Sequence, residues 1–369
     1  MRPHALLLIA VLVLVACTGA VGTPSATPGA TADINRSRID IAYTAFVAQD
    51  VHNVSSRAAL LAAVEGLKAE AKKTGGSTEF RALELQDTHE PVISDFKRFA
   101  DAAAEFAARN RQLSANRIAD AAIAAMIAAS PDCHTYYVNP EGVTFRSKPY
   151  TPTGTNAQIP AGGTSLGGPD EAGLTGKMLS GGIAYITWRA WVTTGTYKIN
   201  DALRAMLDKA VGMGAKAWLF DLRGNPGGIA STDEVASWFL DGEPMLVAMF
   251  RNGAGGTATA QKAFRLGPAY QLPLAIVVND RSASASEFLV ADLKENRRAT
   301  IVGQKTVGCL GSFYSAKFLD GGQIAVVAQE YIGAVTGAKY NNDGVPPDVS
   351  ADDATAVDKA IEILKKTTG

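Results

Sequence analysis

Two short segments carry residues whose types and spacing fit acyl-transfer chemistry. The first runs from Leu274 to Gly311: an apolar stretch ends at Asn279, a polar turn carries Ser282, Ser284 and Ser286, and a helical pattern begins at Ala285. A serine at such a strand-to-helix elbow exposes its hydroxyl beside a helix N-terminus, where free N–H groups and the helix dipole favour a developing oxyanion. The same three serines also read as caps and turn formers. The second segment, Asp221-Leu222-Arg223-Gly224-Asn225-Pro226-Gly227-Gly228, again follows an apolar strand. Its paired glycines let backbone approach a ligand closely and aim N–H groups into a cavity, while Asn-Pro-Gly-Gly is equally an ordinary turn.

The elements that must hold these turns are legible in the hydrophobic pattern. Short apolar runs predict strands at Ile183 to Trp188, Ala217 to Leu222, Met245 to Phe250, Leu274 to Asn279, Thr300 to Gly303 and Gln323 to Glu330. Helical stretches alternate with them at Thr196 to Met213, Thr232 to Leu240 and Ala285 to Glu295. That alternation argues a mixed α/β domain with buried strands. From Ile34 to about Ser130 the spacing is helical instead, with Ala58, Leu60, Leu61, Val64 and Leu67 in one stretch and Ile118, Ala121, Ile123, Met126 and Ile127 in another. Ser55 and Ser114 stand where N-caps would.

The 369 residues are 47% apolar and 19% charged, enough for one large or two ordinary domains with a sizeable core. Lys and Arg total 35 against 36 Asp and Glu, so no bulk charge points to nucleic acid. Four histidines and three cysteines put zinc and iron–sulfur frameworks of the usual spacing out of reach, and no cofactor is expected. At the N-terminus, Arg2 precedes a 12-residue apolar run, Ala5 to Ala16, too short to span a bilayer and readable as an export signal over residues 1–16. The run ends Leu14-Val15-Ala16-Cys17, which resembles a bacterial lipobox; an ordinary cleaved signal with an incidental cysteine is the other reading. On the lipobox reading Cys17 is acylated, and residues 17–33, rich in Gly, Pro, Thr, Ser and Ala, form a tether to the membrane.

Taken together, the two chemical segments lose their generic character. The chain resembles the serine peptidases of family S41, the tail-specific or C-terminal-processing proteases. The family's D-L-R-x-N-P-G-G stands at Asp221 to Gly228, its S-A-S-A-S-E at Ser282 to Glu287, its V-G-x-x-T-x-G at Val302 to Gly308 and its G-V-x-P-D at Gly344 to Asp348. Its D-x-H-T stands upstream at Asp132 to Thr135. The resemblance implies an α/β fold with a crotonase/Clp-protease-like ββα core over residues 131–369, behind an N-terminal helical subdomain over 34–130. Only 46 residues separate Thr135 from Gly182, too few for the PDZ domain that many relatives insert there, so the helical arm is expected to wall the cleft instead.

The resemblance implies Ser284 as nucleophile, with the oxyanion hole formed by the backbone N–H of Ala285 and one from Gly227 or Gly228. A neutral hydroxyl needs a base. Many relatives use a lysine 25 positions after the nucleophile, supported by a glutamine; here those places hold Cys309 and Phe313. Lys305, four residues earlier, reads as an exposed charge. The branch of the family that resembles the tricorn and nisin-resistance type uses the histidine of D-x-H-T, so His134 is the expected base. His52 and His89 lie in polar contexts of the helical arm and read as surface residues. Asn341, at the family's acid position, and nearby Asp343 are candidates to orient the imidazole, and the sequence assigns the role to neither.

With Cys17 acylated, Cys133 and Cys309 remain, in an exported protein where disulfides persist. Both would line the site, and a bridge between them is expected; a zinc site from Cys133, His134 and Cys309 is disfavoured by adjacent ligands. Function is thus expected to be hydrolysis of extracytoplasmic peptides or proteins by a lipid-anchored serine peptidase on the outer side of a bacterial membrane. The alternative is a non-catalytic peptide-binding lipoprotein on a decayed scaffold.

Overall fold

The computed structural model describes residues 33–368 apart from Asn252, Ala254 and Ala260; the export run, Cys17 and nearly all of the tether lie outside the described residues. The chain begins with four helices, α1 (Arg36–Gln49), α2 (Ser56–Lys73), α3 (Ile93–Arg109) and α4 (Ala115–Ala128). Ser55 and Ser114 cap as expected, their hydroxyls accepting from the amides of Ala58 and Arg117. Helices α2 and α4 cross closely at Gly66, where a Cβ would stand 2.4 Å from the Ala121 carbonyl oxygen. Two short strands follow, β1 (Tyr136–Val138) and β2 (Thr144–Arg146), and then β3 (Thr164–Gly167), β4 (Thr175–Leu179), β5 (Ile183–Thr187), α5 (Ile199–Gly212) and β6 (Ala217–Asp221). The rest of the chain forms α6 (Thr232–Ser237), β7 (Pro244–Phe250), β8 (Gly255–Thr259), β9 (Leu274–Val278), α7 (Ala285–Glu295) and β10 (Thr300–Gly303). It closes with β11 (Gly311–Lys317), β12 (Gln323–Ile332), β13 (Val349–Ser350) and α8 (Ala356–Thr368).

Seven strands form one sheet in the order β13-β10-β9-β6-β5-β4-β3. From β13 to β5 the neighbours run parallel, and β4 and β3 are antiparallel. Strands β5, β6 and β9 are buried along their whole length, which explains why their sequences are nearly continuous apolar runs. Alternate residues serve two cores: Leu219 and Val277 pack with α8, while Trp218, Phe220, Ile276 and Val278 join the core that α5, α6 and α7 also build. Because β6 and β9 are parallel neighbours, with Asp221 paired to Val277, the turns that follow them emerge side by side at one edge. Two motifs about sixty residues apart in sequence therefore meet.

The second sheet is organised on β12, which β11 borders along one side while β1 and β7 pair with its two ends. The helical region does not end its core at residue 130. Tyr137, Phe318, Ile324 and Val326 from this sheet pack with the buried faces of α1 to α4, so helices and sheet share one apolar cluster. An ion-pair network around the buried Arg38 joins them as well: its guanidinium reaches Asp320 in the β11–β12 turn, Asp120 of α4 and the Tyr137 hydroxyl.

One buried acid sets a pH dependence of the fold. Asp292 of α7 is 1% exposed, accepts the Leu246 amide at 2.8 Å, and is pushed up to about 8 by burial. Its folded value lies above its unfolded one, so its contribution to stability is complete below the ordinary aspartate range and is lost as pH rises through about 8. Asp292→Asn is therefore expected to flatten the thermal-stability profile between about pH 4 and 8 and to melt higher than the wild type at pH 8, read by calorimetry.

Candidate active site

Ser284 sits between β9 and α7 as the residue before the first helical turn, at φ 52° and ψ −119°. Positive φ is costly for a residue with a Cβ and persists only where surroundings enforce it. The enforcing group is Glu287, which is fully buried. Its Oε2 accepts the amides of Ser284 (2.9 Å) and Cys309 (2.7 Å); its Oε1 accepts the Gly308 amide (2.7 Å) and the Thr306 hydroxyl. Burial outweighs the four donated hydrogen bonds and leaves this carboxyl pushed up to about 7.

The three serines of the elbow part ways here. Ser282 donates to the Leu222 carbonyl at 2.9 Å and accepts the Asn279 amide at 3.0 Å, so it fastens the two turns together. Ser286 accepts the Trp191 indole N–H at 3.1 Å in the core. Both are buried, and both take the turn-forming role. Only Ser284 faces the cavity, with its Oγ 3.3 Å from His134 Nε2.

His134 enters from the other sheet, immediately before β1, and its neighbour Thr135 anchors it by accepting the Val327 amide of β12 at 3.0 Å. Burial lowers the imidazole below its ordinary value of 6.5, only partly offset by the Asp132 charge. The ring is thus neutral at pH 7 and able to accept a proton. Phe313 stacks on it with centroids 6.0 Å apart and planes 18° from parallel.

The orienting groups correct the sequence expectation. Asp343 is exposed and its carboxylate makes no hydrogen bond to His134. Asn341 acts one step removed: its Nδ2 donates at 2.7 Å to Asp132 Oδ2. The carboxylate nearest the imidazole is Asp132, fully buried, whose Oδ1 accepts the His134 backbone N–H at 2.7 Å and lies 3.9 Å from Nδ1. Asp132 was in view as the first letter of D-x-H-T, but spacing alone does not tell a turn-forming aspartate from one that faces a ring.

The glycine turn abuts Ser284. A Cβ on Gly227, at φ 91°, would stand 2.7 Å from Ser284 Cβ, and one on Gly228 would strike the Trp191 carbonyl at 2.1 Å. Of the three candidate amides for the oxyanion hole, that of Gly227 is already engaged, donating to Asn225 Oδ1 at 3.0 Å. Those of Gly228 and Ala285 donate to no acceptor among the described residues, which leaves these two for a ligand. Arg223 and Asp221 brace the turn from below as a buried bidentate ion pair.

Cys133 and Cys309 are joined by a disulfide, with Cα atoms 5.7 Å apart, and Cys133 Sγ stands 3.4 Å from His134 Nδ1. Cys133, Asp132 and His134 lie close enough to share an ion, but a sulfur committed to the bridge is no thiolate ligand. Lys305 is exposed, as expected. The pair opens into a cavity of about 440 Å³ lined also by Gly228, Asp233, Phe288 and Phe313. No described residue of α1 to α4 lines it, so the helical arm does not wall this cleft. A larger recess of about 700 Å³, between residues 158–163 and α8, holds neither Ser284 nor His134.

Residues 182–351 match Peptidase family S41, and the domain they build belongs to that family. His134 and Cys133 lie upstream of the matched stretch. The chain is 28% identical over 179 residues to the carboxy-terminal processing protease CtpA of Bacillus subtilis, covering 48% of this chain and 36% of that protein. It is 36% identical over 121 residues to a carboxyl-terminal-processing protease of Synechocystis, covering 32% of this chain and 27% of the other. The chain thus spans about a third of the length of these curated relatives. A lipoprotein structure from Streptococcus agalactiae shares the fold at 16% identity, with a TM-score of 0.51 over 83% of this chain and 96% of that one. No helix of the described residues is long and apolar enough to cross a membrane.

The bridge ties the His134 turn to the loop that Glu287 holds, across 176 residues of sequence. Reduction by a dithiol is expected to cost about 2–5 kcal/mol of stability and to slow reaction of Ser284 with an uncharged fluorophosphonate. Melting and labelling that are both unchanged after thiol titration shows two free cysteines would remove the bridge from any role in holding the base.

Proposed function

We propose that the chain is a serine-type peptidase that hydrolyses peptide bonds through an acyl-enzyme on Ser284. The observation that carries the reading is the 3.3 Å approach of Ser284 Oγ to a neutral, buried imidazole, at an elbow whose neighbouring amides on Gly228 and Ala285 have no other partner. His134 Nε2 takes the hydroxyl proton as Oγ attacks the scissile carbonyl carbon, and the oxyanion develops toward those two amides. The imidazolium is stabilised by the Asp132 charge and returns its proton to the leaving amine. A water then gives a proton to the same nitrogen and attacks the acyl carbon, and as the acyl–oxygen bond breaks the imidazolium returns that proton to Ser284 Oγ.

The kinship with processing proteases supports peptides or proteins as substrates. The export run and the lipobox-like Leu14 to Cys17 support a mature chain anchored through acylated Cys17 and acting outside the cytoplasmic membrane of a bacterium. Cys309 and Phe313 at the places of lysine and glutamine favour a base other than lysine. Replacement of the base also distinguishes this chain from a non-catalytic binding protein, for which neither Ser284 nor His134 would need its present environment.

A fluorophosphonate is expected to label the wild type at one site and to leave Ser284→Ala unlabelled. His134→Ala should slow labelling and peptide hydrolysis by about a thousandfold or more. The base acts in its neutral form, and burial lowers its pKa, so activity should persist below pH 6.5 and fall only as the imidazole protonates at lower pH. A folded wild type that neither labels nor hydrolyses a peptide library, or hydrolysis indifferent to both substitutions, would overturn the assignment.

A further inference from the structure

The cavity that holds Ser284 and His134 has one carboxylate in its wall, Asp233, in the first turn of α6, and no lysine or arginine. The neighbouring acid, Glu234, is engaged by the Asn200 amide N–H at 2.8 Å. Asp233 is not: it stands exposed at the cavity mouth and pairs with no donor or cation among the described residues. Asp292 beneath it is protonated near neutral pH and so supplies no competing charge. With His134 neutral, Asp233 is the one formal charge in the cavity wall.

The rest of that wall is aromatic. Phe288 and Tyr331 meet edge to face with centroids 4.7 Å apart, and Phe313 stands against the imidazole. Aromatic faces accept the aliphatic stem of a long cationic side chain and attract its charged head, while an unpaired carboxylate at the cavity mouth gains from a charge-assisted hydrogen bond. An apolar side chain would leave that carboxylate unpaired, and an acidic one would be repelled by it.

We infer that Asp233 is a specificity-determining residue that receives a lysine or arginine side chain of the peptide substrate next to the bond attacked by Ser284. The inference rests on the peptidase reading above and names the substrate class of that same cavity. Recognition here is local, made by one carboxylate and an aromatic wall.

The test measures kcat/KM on a set of peptides identical except for lysine, arginine, leucine or glutamate at each position flanking the scissile bond. The wild type is expected to favour lysine or arginine over leucine by about tenfold or more at one position. Asp233→Asn should erase that ratio, Asp233→Lys should turn it toward glutamate, and Asp233→Glu, which keeps the charge, should retain it. Melting curves of the three variants separate loss of charge from loss of fold. Hydrolysis with no basic preference, or a preference that Asp233→Asn leaves intact, overturns the inference while the peptidase reading stands. A folded wild type that cleaves no peptide and resists fluorophosphonate overturns both.

Discussion

Everything at the site depends on one buried carboxylate with four donors around it. Glu287 carries no cationic partner, yet it holds the amide of Ser284 on one side and the amides of Gly308 and Cys309 with the Thr306 hydroxyl on the other. The first contact fixes the elbow at a positive φ that a serine would otherwise leave. The others pull the loop after β10 against the elbow, and that loop carries Cys309, whose bridge reaches Cys133 and so the base. The proposed nucleophile and base belong to different sheets, and their alignment passes through this residue. A buried acid without its donors would be strongly unfavourable, so the arrangement is all or none.

The base is held by weaker means than the nucleophile. Asp132 spends its short hydrogen bonds on the His134 backbone and on Asn341, and meets the ring only through space at 3.9 Å. Ring position is then a matter of packing: Phe313 covers one face, and the cystine sulfur stands beside Nδ1. The cystine that Cys309 completes and the Phe313 ring thus confine the imidazole of the proposed base.

Much of this was legible in the sequence, because strong local patterns and tertiary demands agree. Strands β6 and β9 are apolar runs buried on both faces, and each ends in a turn whose residues could be named in advance: Gly228 after β6 and Ser284 after β9. Roles that depend on one hydrogen bond among several choices were not legible. Asn225 occupies the Gly227 amide, so the choice between Gly227 and Gly228 that the sequence left open falls to Gly228. Asp343, close in sequence to the family's acid position, turns to solvent, and the carboxylate facing the ring comes from Asp132. The helical arm read as a possible wall of the cleft because its periodicity gives a buried face without saying what covers it; that face packs on β1, β11 and β12.

The Glu287 carboxylate couples the elbow to the loop, and the reactivity proposed for Ser284 depends on that coupling. Glu287→Gln keeps the size but offers an N–H₂ where two amides donate. Labelling of Ser284 by an uncharged fluorophosphonate, measured well below the melting temperature of the variant, tests the claim most directly. The account predicts a folded protein that labels about a hundredfold more slowly or worse, in line with loss of a group that positions the reacting atoms. Labelling at the wild-type rate would contradict it.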